Sequence, residues 1–147
     1  MNVNDREATA LAMLLKIARN RMDAAAALVA ALEASLAETE ASLRLLADAV
    51  AGEEAAAKAA EIVGFAQLAG FLAGAERKRA ALDATRAQIR TEIEAARSDL
   101  ETAFAEASKL DTLVERAQIA AQKRTKRAES NALNEAAVAG FRRAPAR

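Results

Sequence analysis

The sequence predicts an all-α protein, a long two-helix antiparallel coiled-coil hairpin, and three observations predict it. Apolar residues recur every 3.5 positions over two long stretches. Helix formers dominate, with 44 alanines among 147 residues and a single proline, Pro145. The two periodic stretches are out of step with each other, and glycines bracket the slip.

Asn4 followed by Glu7 forms a capping-box pattern, so the first helix is expected to begin near Asp5. Alternate steps of four and three then trace a seam through Leu11, Leu15, Ala18, Met22, Ala25, Val29, Leu32, Leu36, Thr39, Leu43, Leu46 and Val50, in which only Thr39 is polar. A repeat of 3.5 residues held over that distance keeps one stripe facing a partner helix while the pair supercoils. The second seam runs through Phe65, Leu68, Leu72, Ala75, Arg79, Leu82, Arg86, Ile89, Ile93, Ala96, Leu100, Ala103, Ala107, Leu110, Val114, Ala117 and Ala121. Only Arg79 and Arg86 break it. Alanine is common enough to supply some matches freely, yet Ile89, Ile93, Leu100, Leu110 and Val114 keep one phase. Stepping on from Val50 reaches Glu53, Ala57, Ala60 and Gly64, so the register slips between 51 and 64. Glycine costs about 1 kcal/mol in a helix interior relative to alanine, which places a turn between Gly52 and Gly64. The expected organisation is a single domain: a first arm over about 5–57, a turn within 52–64, a second arm over about 64–137 and a flexible tail at 138–147.

Each arm alone would expose an apolar stripe, and the nearest cover in sequence is the other arm. At 1.5 Å per residue, arms of about 50 to 70 residues make rods of roughly 80 to 100 Å. Alanine at many seam positions lets helix axes approach closely while burying little area, so modest stability and frayed ends are expected. Net charge is zero, with 21 basic and 21 acidic side chains. Residues 30–62 nevertheless hold seven acids against two bases, whereas residues 115–147 hold eight bases against three acids. A hairpin would put that acidic stretch toward the turn and the basic one toward the termini.

Chemistry is largely excluded. The chain has no His, Cys, Trp or Tyr, which removes the imidazole acid/base, the thiolate nucleophile and ordinary zinc, haem or iron–sulfur ligation. Neighbouring acids such as Glu53 and Glu54, or Glu92 and Glu94, point in different directions on a helix and read as solvated face. No glycine-rich phosphate loop occurs. No catalytic residue, cofactor or metal site is therefore expected. Asp5, Arg6 and Glu7 precede the first apolar stretch, which argues against a secretory signal and for a cytoplasmic chain. The most apolar run, Ile62 to Ala75, spans 14 residues with Gln67 inside and includes Gly70 and Gly74; about 20 are needed to cross a bilayer. Phe65 is expected in the core, Phe71 and Phe104 on its flanks, either as simple flank packing or as partner contacts, and Phe141 past the helix end. The cluster Lys123, Arg124, Lys126 and Arg127, with Arg142, Arg143 and Arg147, suits an acidic protein surface; a plain solvated basic end is the main alternative, and phosphate a lesser one, since without interleaved aromatics base stacking is disfavoured.

These residues resemble a family. The stretch FAQLAGFLAGAERKRAALDATRAQI from Phe65 to Ile89, then SKLDTLVERAQ from Ser108 to Gln118, then RTKRAESNALNEAA from Arg124 to Ala137 is similar to FliJ, the flagellar export stalk family, and chain length and central break agree. Injectisome stalk proteins of the YscO type share the design. The resemblance implies a non-enzymatic stalk similar to the central rotor subunit of rotary ATPases, cytoplasmic and peripheral to the inner membrane at the export apparatus that serves motility. Its implied partners are the hexameric export ATPase FliI, entered by the end that carries both termini, the export gate protein FlhA, and export chaperones that it escorts. Carried over by position, the gate surface falls at Ser42, Leu46, Ala49 and Glu53 on the first arm and Phe71, Ala75, Lys78 and Leu82 on the second. Ala49 and Glu53 depart from the aromatic character of the family there. Charge and end geometry nominate Arg6, Lys123, Arg124, Lys126 and Arg127 for the ATPase ring. The alternative reading of the residues is a coiled-coil scaffold whose basic end binds nucleic acid or acidic lipid.

Overall fold

The computed structural model describes residues 3–143. All of them belong to one run of helix, α1, Val3–Arg143, but that run does not continue in one direction. A Cβ on Gly64 would lie 2.8 Å from the carbonyl oxygen of Ala57 and 2.9 Å from the Ala60 Cβ. In a straight helix residues seven apart are separated by about 10 Å along the axis. The chain therefore folds back over 57–64, and Ala57 and Gly64 are both buried there. Two helical arms result, packed against each other as an antiparallel hairpin. The helix already includes Val3, two residues before the expected start, and it continues through Arg143, so residues 138–143 are helix where a flexible tail was expected. Residues 144–147, with Pro145 and Arg147, lie outside the described residues.

The chain divides into two compact units, Met22–Thr102 and the pair of segments Met1–Arg21 and Ala103–Arg147. In the first, every seam residue from Met22 to Val50 is buried or half-buried, as are Leu68, Leu72, Ala75, Leu82, Arg86, Ile89, Ile93, Ala96 and Leu100. Arg97 Nη2 donates to Glu33 Oε1 at 2.9 Å and Arg90 Nη2 donates to Glu40 Oε1 at 3.4 Å. Seven residues forward on the second arm thus match seven residues back on the first, which is an antiparallel heptad register. These side chains are between 37% and 60% exposed, so each pair contributes only about 0.2–1 kcal/mol and serves mainly to select the register.

In the second unit Leu15, Ala18 and Ala107 are buried, with Leu11, Leu110, Val114, Ala117 and Ala121 half-buried along the same seam. Arg19 Nη2 donates to Asp111 Oδ1 at 3.0 Å, and Arg21 faces Glu106 at 4.0 Å, again in the antiparallel sense. Past Ala121 every described residue is exposed.

A pair of helices has no thick interior, and among the described residues the buried apolar set is accordingly small: Leu15, Ala18, Ala57, Ile93, Ala96 and Ala107. Alanine predominates because only a methyl group fits where two axes approach closely. Thr39 is the buried polar seam residue, and its hydroxyl donates to the Ser35 carbonyl at 3.0 Å. Thr9, Thr85, Thr91, Thr102, Thr112 and Thr125 satisfy their hydroxyls in the same way, four residues back, so threonine costs the helices no unpaired donor.

Several aromatic expectations are corrected. Phe65 is 57% exposed. It follows the reversal directly, where the first arm presents Ala57 to the Gly64 backbone and offers no cover for a ring. Phe71 is half-buried and Phe104 is exposed, both consistent with flank positions, whereas Phe141 is exposed on helix and not beyond its end. Ile93→Ala, at a 5% exposed seam position, is expected to lower the free energy of unfolding by about 2–3 kcal/mol in urea titrations followed by circular dichroism. Leu45→Ala, at a 69% exposed position, should stay within about 0.5 kcal/mol of the parent.

Candidate partner-binding site

Heptad spacing puts both Arg79 and Arg86 on the stripe that faces the first arm, seven residues apart. A guanidinium cannot stay against leucine without a partner. Asp83, between them and on the flank of the seam, supplies it: Asp83 Oδ1 accepts from Arg86 Nη2 at 2.9 Å, and Asp83 Oδ2 lies 3.8 Å from Arg79 Nε. One carboxylate thereby draws two seam cations toward the flank. The Arg79 side chain is 66% exposed and that of Arg86 35%. The space they leave is a half-open cleft of about 630 Å³ lined by Leu43, Leu46, Ala47 and Val50 on the first arm and by Leu72, Ala75, Glu76, Arg79, Asp83 and Arg86 on the second. Its floor is aliphatic and its wall carries two positive and two negative groups, a composition suited to an amphipathic polypeptide.

Of the residues nominated for a gate contact, Leu46 and Ala75 line this cleft; Ser42, Phe71 and Leu82 are half-buried elsewhere in the same unit, and Ala49, Glu53 and Lys78 are exposed. Sequence reasoning noticed Arg79 and Arg86 only as interruptions. The missed signal was Asp83, an acid placed four residues after one seam arginine and three before the other, within reach of both on a helix.

The other unit presents a different surface. Asn4, Glu7, Ala8 and Leu11 share a shallow hollow with Ala117, Ala120 and Arg124, so the arms still face each other there. From residue 122 to 143 the helix is exposed at every position, Arg124 at the rim of that hollow included. This segment bears Lys123, Arg124, Lys126, Arg127, Arg142 and Arg143 against Glu129 and Glu135, six positive groups against two negative. The ion pairs among the described residues include none of these basic groups and not Arg6, which is also exposed. Leu133, Val138 and Phe141 are 71%, 51% and 85% exposed on the same stretch. The segment is thus basic and apolar at once, and apart from Arg124, which borders the hollow shared with the first arm, its side chains stand exposed among the described residues.

Among the described residues, no group of three or more carboxylates is placed to hold a metal ion, and no helix is long and apolar enough to cross a membrane.

A family model described as "Flagellar FliJ protein" matches residues 7–146, nearly the whole chain. No curated protein and no solved structure matches.

The origin of the cleft is open to direct test. Replacing both seam cations, Arg79→Leu with Arg86→Leu, is expected to stabilise the hairpin by about 1–2 kcal/mol in urea unfolding, because leucine fills the two empty layers. Asp83→Ala alone should do the opposite, since it leaves two like charges without their shared counter-charge.

Proposed function

The chain belongs to the FliJ family of flagellar proteins, so its role lies in flagellar export, and we propose that it serves there as a stalk. Its basic, uncovered end enters the hexameric export ATPase FliI and promotes its activity, while the cleft-bearing unit touches the gate protein FlhA. The observation that carries this reading is the helical segment 122–143, exposed throughout and bearing six basic groups against two acidic ones. Without tertiary cover of its own, this helix is open to a partner, and a bound partner would stabilise it. Arg6, Lys123, Arg124, Lys126 and Arg127 are the residues assigned to the ring contact. Leu46 and Ala75, together with Ser42, Ala49, Glu53, Phe71, Lys78 and Leu82, are assigned to the gate.

A stalk of this kind needs no reacting group. It promotes the ATPase by binding one state of the ring more tightly than the others, which shifts the population toward that state by the difference in affinity. Work at the cytoplasmic side of the inner membrane, peripheral to it, and escort of export chaperones belong to the same reading.

The test is ATP hydrolysis by purified FliI with and without this chain. Stimulation is expected, and the double reversal Arg124→Glu with Arg127→Glu should weaken the interaction roughly tenfold while leaving helicity intact, because both side chains are exposed. Stimulation that the reversal leaves untouched would remove the assignment of this end. Closing the cleft with Arg79→Leu and Arg86→Leu should lower binding to FlhA and spare FliI stimulation.

A further inference from the structure

The reversal at 57–64 contains one turn-forming residue, Gly64, at its far end. Residues 53–63 read EEAAAKAAEIV, with no Gly, Pro, Asn, Asp or Ser among them, and the chain is helical throughout. Such a segment is as well suited to continue as a straight helix as to fold back. What the folded-back form requires is that Gly64 have no side chain: a Cβ there would meet the Ala57 carbonyl oxygen at 2.8 Å and the Ala57 Cα at 3.0 Å. Both are backbone atoms and cannot swing aside. Gly52, on the other side of the segment, has nothing within 4 Å of its Cβ position. The contacts between the arms carry no comparable restriction. Antiparallel pairs such as Glu33 with Arg97 and Glu40 with Arg90 form identically whether the two arms come from one chain or two.

We propose that a second copy of this chain is an alternative partner for each arm, through an arm-exchanged antiparallel dimer in which 57–64 runs straight, and that Gly64 holds this state in the minority. Exchange of identical elements is a low-cost route to dimers when the hinge alone distinguishes the two forms. In the parent protein the other arm is tethered at an effective concentration in the millimolar range, so the dimer gathers only as chain concentration approaches that value. A side chain at position 64 penalises the folded-back form and leaves the exchanged form untouched.

The test uses the full chain with Gly64→Val, and with Gly52→Val as its control. Light scattering after size exclusion should find the parent and the Gly52 variant monomeric at tens of micromolar, with the Gly64 variant dimeric and equally helical, a fall in dimer dissociation constant of at least about a hundredfold. The chain has no native cysteine, so Glu33→Cys with Arg97→Cys, joined by a short bismaleimide, reports which chain supplies each arm. Links within one chain mark the hairpin, and links between chains mark exchange. A monomeric Gly64 variant would overturn the proposal, as would equal dimerisation by the Gly52 variant, or loss of helicity in the Gly64 variant, because the exchanged form has no crowding at 64 to suffer from. The parent chain gives an independent reading: refolded from urea at about 1 mM and about 10 μM, its between-chain links should rise with concentration, and their absence at both would also overturn it.

Discussion

Each arm must cover the other's apolar stripe, and the rest of the structure depends on that constraint. A long amphipathic helix cannot fold its own stripe inward, so the stripe persists only against a second helix in matching register. The stripes here are narrow and rich in alanine, as Ala18, Ala57, Ala96 and Ala107 show by being among the buried residues. Burial is worth roughly 25 cal/mol per Å² of apolar surface, and alanine offers little of it. Cohesion is consequently spread thinly along the arms. Flanking pairs such as Glu33 with Arg97 add little energy, but a shift by one residue would break them while turning the seam residues away from each other.

The same constraint explains where function has room to act. Where the stripes match, as around Ile93 and Ala96, the surface between the arms is closed. At Arg79 and Arg86 the match fails, Asp83 gathers both cations at the flank, and a cleft remains. Beyond Ala121 every described residue of the second arm is exposed. The two surfaces belong to different units and share no residue.

Much of the fold was legible in the sequence because a period of 3.5 residues is a long-range signal that survives local exceptions. The seam from Leu11 to Val50 and its counterpart from Leu68 to Ala121 are buried or half-buried throughout, apart from Arg79. Local features were harder to read. Phe65 continues the arithmetic of the second seam, but arithmetic does not register that the chain has only just reversed at Gly64. The two bracketing glycines look alike in the sequence, and only the approach of Ala57 distinguishes Gly64 from Gly52. The helix carries on past residue 137 because alanine-rich sequence sustains it, although Gly140 and the change of pattern suggested an end. At the candidate site the arginines were visible as interruptions, whereas the cleft depends on the side-chain directions that bring both of them to Asp83. Of the gate positions carried over from the family, Leu46 and Ala75 fall on that cleft because they are also seam positions, which periodicity had already marked.

On the proposed stalk reading the molecule contributes binding differences, and the physical character of 122–143 indicates the form they take. Lys123 to Arg127 provide attraction that weakens with ionic strength, since exposed charges are screened beyond about 8 Å at physiological salt. Leu133, Val138 and Phe141 provide apolar area that salt does not screen. A purely acidic surface would satisfy only the first set, and a purely apolar one only the second. On the proposed reading, a partner that presented both, acidic groups toward the start of the segment and an apolar lining farther along, would cover this helix as the first arm covers the seam.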